Sequence, residues 1–221
     1  MSHKNEFKHD VVRESIVSAF GFIKRDSKVI TRYSLIAVAV VLLAIAYNAH
    51  QHKSALSANE EFGEAVNSFI DGNPDLAFVD FQSIVDRYNG ISSAINARLY
   101  LIQEEIKTKD YPSAIDNISY VLDNSDNKQI LASMWMVKGN IALTENDFEQ
   151  CKKFYDNAIK IQPLNSIKDD YKIELARLYI KQDKYGDAKK MLDALTKNPE
   201  LRYKIKNDAE DLLAEVNYRL R

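Results

Sequence analysis

A single cysteine, Cys151, leaves this chain without the means to form an internal disulfide, and its redox compartment stays open. Histidine is nearly as scarce. His3, His9, His50 and His52 all stand near the N-terminus, so everything after His52 offers neither a His/Cys metal set nor a histidine general base. No Gly-rich phosphate loop occurs. Carboxylate neighbours such as Glu104 and Glu105 are adjacent in sequence and point in different directions, which does not make an acid/base pair. These gaps lead us to expect a protein that is not an enzyme and uses no cofactor or metal. Only six glycines and four prolines punctuate 221 residues, too few for a turn-rich β fold, and the long segments bearing Leu, Lys, Glu and Tyr favour helices.

Charge is almost absent from one stretch. Tyr33–Tyr47, YSLIAVAVVLLAIAY, holds no charged residue and, between its tyrosines, only one hydroxyl, Ser34. Extended to Ala49 it makes roughly 25 Å of helix, and adding Val29, Ile30 and Thr31 brings it to the ~30 Å of a bilayer core. Arg32 lies close enough to the end to snorkel, and Tyr33 and Tyr47 stand where interfacial aromatics belong. A buried core helix and a cleaved secretory signal are the rival readings; a leader of 32 residues is long for a signal, and the chain after Ser54 already makes a domain of its own. The expectation is a retained single-pass anchor.

Lys24, Arg25, Lys28 and Arg32 precede this stretch against Asp26 alone, whereas Lys53 is the only basic residue between it and Glu60, Glu61 and Glu64. Positive charge collects on the cytoplasmic side, so the N-terminus is expected in the cytoplasm and the bulk of the chain across the membrane. The net charge of −2 conceals a basic first 53 residues and an acidic remainder. Ahead of the anchor, Phe7, Val11, Ile16, Phe20 and Ile23 recur at helical spacing among charged residues, which suits a helix lying on the membrane face or docking a cytoplasmic partner. Nucleic-acid binding is not expected, because the tail lacks aromatics interleaved on a basic face.

From Glu60 onward the chain repeats itself every 37 residues. One column reads Ala77, Ala114, Cys151, Ala188, and a second reads Phe81, Ile118, Tyr155, Leu192. Upstream, Phe62, Leu99, Met136 and Ile173 align, as do Ala65, Ile102, Gly139 and Ala176. Columns three and four apart make each half-repeat an amphipathic helix. Polar turns, Asp71–Pro74, Lys107–Asp110, Thr144–Asp147 and Lys181–Lys184, separate the halves, with Pro74 and Pro112 at helix starts. Leu201, Ile205, Leu212, Leu213, Val216 and Leu220 then form a stripe on a polar-backed capping helix. The expected fold is all-α: one N-terminal transmembrane helix, then a helical-hairpin solenoid of about four repeats with a C-terminal cap. Expected boundaries are a tail at 1–28, the span at 29–49, a stalk at 50–58, repeats at 59–199 and the cap at 200–221.

Trp135, Gly139, Cys151, Tyr155, Ala158 and Pro163 resemble the tetratricopeptide consensus column by column, while the first copy departs most, with Glu61 in the tryptophan column. The whole order also resembles the YfgM family, most clearly over Phe81–Leu122: a hydrophobic helix ending in Tyr88, a small-residue turn, Ala94 and Ala97 opening the next helix, a polar turn and Ala114. That resemblance implies a bacterial inner-membrane protein whose periplasmic repeats are an ancillary part of the SecYEG translocon and cooperate with a PpiD-like membrane-anchored chaperone. It carries over no functional residue.

Binding is expected on the first helices of the pairs. Asn96, Leu99 and Gln103; Ser133, Met136 and Asn140; and Asp170, Ile173 and Arg177 would present amides and apolar groups suited to an extended or unfolded secretory polypeptide. The competing reading makes Leu99, Met136 and Ile173 core and their polar neighbours solvated surface. Other functional readings are an envelope-assembly scaffold, a signalling adaptor that holds a cytoplasmic regulator through its tail, and a mitochondrial outer-membrane import receptor, the last opposed by the charge bias.

Overall fold

A computed structural model describes residues 27–221. The helical pattern between Phe7 and Ile23, and Lys24 and Arg25 with it, lie outside those residues. Among the described residues there are nine helices and no strand. They are α1 Ser27–Ile70, α2 Pro74–Arg87, α3 Ser92–Thr108, α4 Tyr111–Asn124, α5 Lys128–Thr144, α6 Phe148–Ile161, α7 Asn165–Lys181, α8 Tyr185–Thr196 and α9 Tyr203–Arg219. The chain divides into two units, Met1–Ser54 and Ala55–Arg221, and residues of α1 belong to both.

In the first unit, every side chain between Tyr33 and Tyr47 is exposed; Leu35 is 65% and Leu43 70% accessible. An uncovered apolar sleeve of this length is long and apolar enough to cross a membrane. Its one hydroxyl is satisfied internally: Ser34 Oγ donates to the Thr31 carbonyl at 2.9 Å, so no polar group would face lipid unpaired. At the other end the Gln51 amide donates to the Tyr47 hydroxyl at 2.8 Å, where the polar residues resume.

The second unit is a helical repeat solenoid. The end of α1 pairs with α2 through Phe62, Ala65 and Phe69; α3 pairs with α4, α5 with α6 and α7 with α8, and each second helix also packs on the next first helix. α9 lies against α7 and α8, where Ile205, Ala209, Leu212 and Val216 bury the last apolar face. Leu220, expected in that stripe, is half exposed because the helix ends at Arg219.

The 37-residue period is written into the backbone as well. Gly72, Lys109, Asn146 and Asp183 each adopt a positive φ, between 57° and 86°, at the turn inside each pair. The next residue's amide then reaches five residues back: Asn73 to Ser68, Asp110 to Glu105, Asp147 to Ala142 and Lys184 to Tyr179, all at 2.8–3.0 Å. This left-handed cap satisfies carbonyls that the helix end would leave open. Asp110 and Asp147 then cap the second helices by accepting from the Ser113 and Gln150 amides.

Side-chain volumes are matched across each pair. A Cβ placed on Gly139 would lie 2.5 Å from the Tyr155 ring, so the largest residue of its column faces the smallest of the other. Ala65 with Phe81, Ile102 with Ile118 and Ala176 with Leu192 share clusters in the other repeats.

Candidate protein-binding face

Leu99, Gln103 and Asn140 meet around one pocket of about 330 Å³ between the first helices α3 and α5. Ile102 and Ile106 on α3, Tyr111 at the start of α4, and Met134, Val137 and Ile141 on α5 complete its apolar walls, and Thr144 adds a hydroxyl. None of the lining residues is charged. Leu99 is half-buried in the cluster of Ile102, Ile118 and Ile141, whereas Gln103 and Asn140 are exposed at the rim. Asn140 is held in place: its Oδ1 accepts from the Tyr155 hydroxyl, which leaves its NH₂ as the group available to a ligand. Burial pushes the Tyr155 phenol far up, so that hydroxyl remains a donor at all working pH.

The other residues expected on this face are placed differently. Met136 and Ile173 are 7% and 3% accessible, Met136 packed with Cys151 and Tyr155, and Ile173 with Leu192 and Ile205. Met136 is closed in by α6 and the following α7, and Ile173 by α8 and α9, whereas Leu99 in the same column stays half-buried at the pocket. Ser133 lies 3.3 Å from the Tyr171 hydroxyl, which also accepts from the buried Gln162 side chain at 3.4 Å. Asp170 accepts from Arg202, whose guanidinium also donates to the Ser166 carbonyl. Asn96 is half-buried, and Arg177 is exposed beside Glu174 at 3.6 Å. Of the orienting cations that are described, Lys28 and Arg32 are exposed on α1.

Met134, Val137 and Ile141 stand outside the trios expected on this face, yet they form the α5 wall. They have the same three-and-four spacing as Ser133, Met136 and Asn140, one residue out of phase. A helix buried on two sides carries two such rows, and spacing alone does not say which faces the next repeat.

Across α3 lies a polar chain. Arg98 Nη1 donates to Asn117 Oδ1 at 2.6 Å, Asn117 Nδ2 donates to Glu105 Oε1 at 2.7 Å, and the guanidinium sits 3.8 Å from the Tyr120 ring centroid. Arg98 Nε and Glu105 Oε2 are buried without hydrogen-bond partners. Burial pulls Arg98 below its ordinary pKa and pushes the Glu105 carboxyl above its own, against the lowering effect of the Asn117 hydrogen bond. Cys151 is fully buried, and burial raises its thiol pKa, which makes it a small apolar residue rather than a nucleophile. Among the described residues no group of His, Cys, Asp and Glu is placed to hold a metal.

The tetratricopeptide repeat family matches residues 132–163, the stretch from α5 through α6 to Pro163. Gly139, Cys151, Tyr155 and Ala158, the residues that close the α5–α6 pair, lie within it. No curated protein matches the chain. Repeats of this kind are a protein-interaction fold, and their first helices are the usual binding wall.

Proposed function

We propose that this protein is a membrane-anchored scaffold that holds an extended polypeptide against its first helices. The observation that carries this is the uncharged pocket joining Leu99, Gln103 and Asn140. An apolar side chain of the ligand enters between α3 and α5, while the Gln103 and Asn140 amides bond its main chain, which gives affinity with little sequence selectivity. Residues 29–49 cross the bacterial inner membrane with the N-terminus in the cytoplasm, residues 50–58 form a stalk, and the repeats at 59–199 and cap at 200–221 work in the periplasm. Support comes from the positive charge before the span and from the resemblance to the YfgM family. On that resemblance the scaffold binds at the SecYEG translocon and assists handover of unfolded secretory polypeptides to a PpiD-like chaperone.

The test is affinity purification of the full chain from native membranes in mild detergent. Translocon subunits and a periplasmic chaperone are expected with the native chain and are reduced by Leu99→Glu, which places a charge in an uncharged pocket. Recovery of neither class sinks the translocon assignment. Recovery that Leu99→Glu leaves unchanged moves binding away from this pocket.

A further inference from the structure

The positions of a repeat that meet the pair before it recur in register. On α5, Met134 and Thr144 line the pocket shared with α3, and Ile130 packs on the cluster of Ile102 and Ile118. On α3, Leu101 lies in one cluster with Ala77 and Phe81 of α2. On α8, Asp187 and Lys190 share a cavity of about 520 Å³ with Asp156 and Ile159 of α6. Carried back to the first pair along the 37-residue period, these positions become Glu60, Ile70, Leu56, Glu64, Leu76 and Val79.

Among the described residues no pair precedes the first to cover them, and Leu56, Ile70, Leu76 and Val79 are each more than half exposed. The columns of the last three are polar in every later copy, as in Lys107, Ser113 and Asp116 of the second. The copy without a predecessor is thus the one that turns aliphatic groups outward. At the other end α9 closes the solenoid over the fourth pair. Single exposed aliphatic residues are ordinary, but a terminal repeat needs a polar outer face, so four on one uncovered end mark an interaction surface.

Charge selects what covers it. Glu60 and Glu64 stand among the aliphatic residues of α1, and Asp75 and Asp80 flank Leu76 and Val79 on α2. From Leu56 to Ala97 the only basic residue is Arg87, and both of its terminal nitrogens donate to Glu61. Lys53 lies a turn before Leu56, roughly 25 Å along α1 from Ile70. Beyond Ala97 acidic and basic residues are equal in number, so the acidic excess of the domain belongs to this end. An anionic bilayer and a second copy of the same face would both be repelled.

We propose that this end of the solenoid receives a helix of another protein, with aliphatic side chains on one face and lysine or arginine beside them. The helix takes the place that a preceding pair would hold, covers Leu56, Ile70, Leu76 and Val79, and sets its cations toward Glu60 and Glu64. The site is separate from the α3–α5 pocket. It rests on the proposed function only for the orientation that keeps the chain's own basic tail across the membrane.

A photoreactive residue at position 79, in the full chain in native membranes, tests this, with position 116, its counterpart in the second repeat, as the control. Position 79 is expected to give an adduct with another protein, mapped by mass spectrometry to a helical segment with Lys or Arg within a turn of its aliphatic residues; position 116 is expected to give none. Leu76→Asp is expected to lower the yield about tenfold, and Glu60→Lys combined with Glu64→Lys to do the same. All three residues are exposed, so circular dichroism and adducts from position 140 are expected to stay unchanged. The proposal is overturned by no adduct at 79, by adducts with lipid or a second copy, by an acidic partner segment, or by a yield that both variants leave intact. An adduct with residues 1–26 of the chain itself overturns it together with the proposed orientation. Adducts kept at 79 while position 140 yields none support it and count against the α3–α5 pocket.

Discussion

Gly139 shows how one residue sets the candidate site. Its missing Cβ lets the Tyr155 ring lie against α5, and the Tyr155 hydroxyl then fixes Asn140 at the pocket rim. Gly139→Ala is therefore expected to destabilise the domain by about 1–3 kcal/mol, the range for overpacking a tight core. Tyr155→Leu in the same chain reproduces the Ala176 and Leu192 combination of the fourth repeat and is expected to recover most of the loss. A thermal or urea unfolding series on the two single variants and the double variant checks this. Additive losses would show that the two positions do not share the space. The small residue at 139 and the large one at 155 are both visible as departures within their sequence columns, but their dependence on each other appears only when the helices are seen in contact.

At the scale of the element, the turns and second helices differ in quality from repeat to repeat. Asp110 and Asp147 accept from an amide of the first turn, but the second helix of the fourth pair is preceded by Lys184, which makes no such bond. Lys184→Asp is expected to stabilise the domain by about 0.5–1 kcal/mol, measured as a raised urea midpoint. The pair it gives up, Lys184 with an exposed Glu149 at 3.7 Å, contributes little. Between α3 and α4, the half-buried Glu105 supplies a pH dependence. Its folded pKa is raised, so its contribution to stability is fully present below its ordinary value and is lost as pH rises through the folded value. The stability of the native chain relative to Glu105→Gln is thus expected to fall as pH rises from the ordinary carboxyl range through the raised folded value. A constant difference across that interval would place the carboxyl in water.

The same scale shows what periodicity carries. Polar turns at 37-residue intervals were legible, yet the left-handed residue in each is Gly72, Lys109, Asn146 or Asp183. Lys109 falls outside the types that favour that conformation, and the other three are Gly, Asn and Asp, so residue type alone did not mark the position in every copy. The groove residues divide for a similar reason. Leu99, Gln103 and Asn140 reach one pocket, whereas Met136 and Ile173 are core, because a first helix packs on its own partner and on the next repeat at once.

For the whole molecule, an apolar helix long enough to cross a membrane precedes an acidic repeat domain, and the four copies are not equivalent. The second and third meet around an uncharged pocket, and the fourth lines a cavity of about 520 Å³ between α6 and α8 that carries charges of both signs. Cys151 is buried in the third copy and is expected to resist iodoacetamide in the folded chain and to react in urea; rapid labelling of the native protein would mean that α6 opens readily.

In the proposed function the first-helix face meets secretory polypeptides across the membrane. A photoreactive residue at position 140, irradiated in intact cells, tests it most directly. Adducts with translocon subunits, a periplasmic chaperone or secretory polypeptides are expected. Adducts with cytosolic proteins would contradict both the orientation and the function.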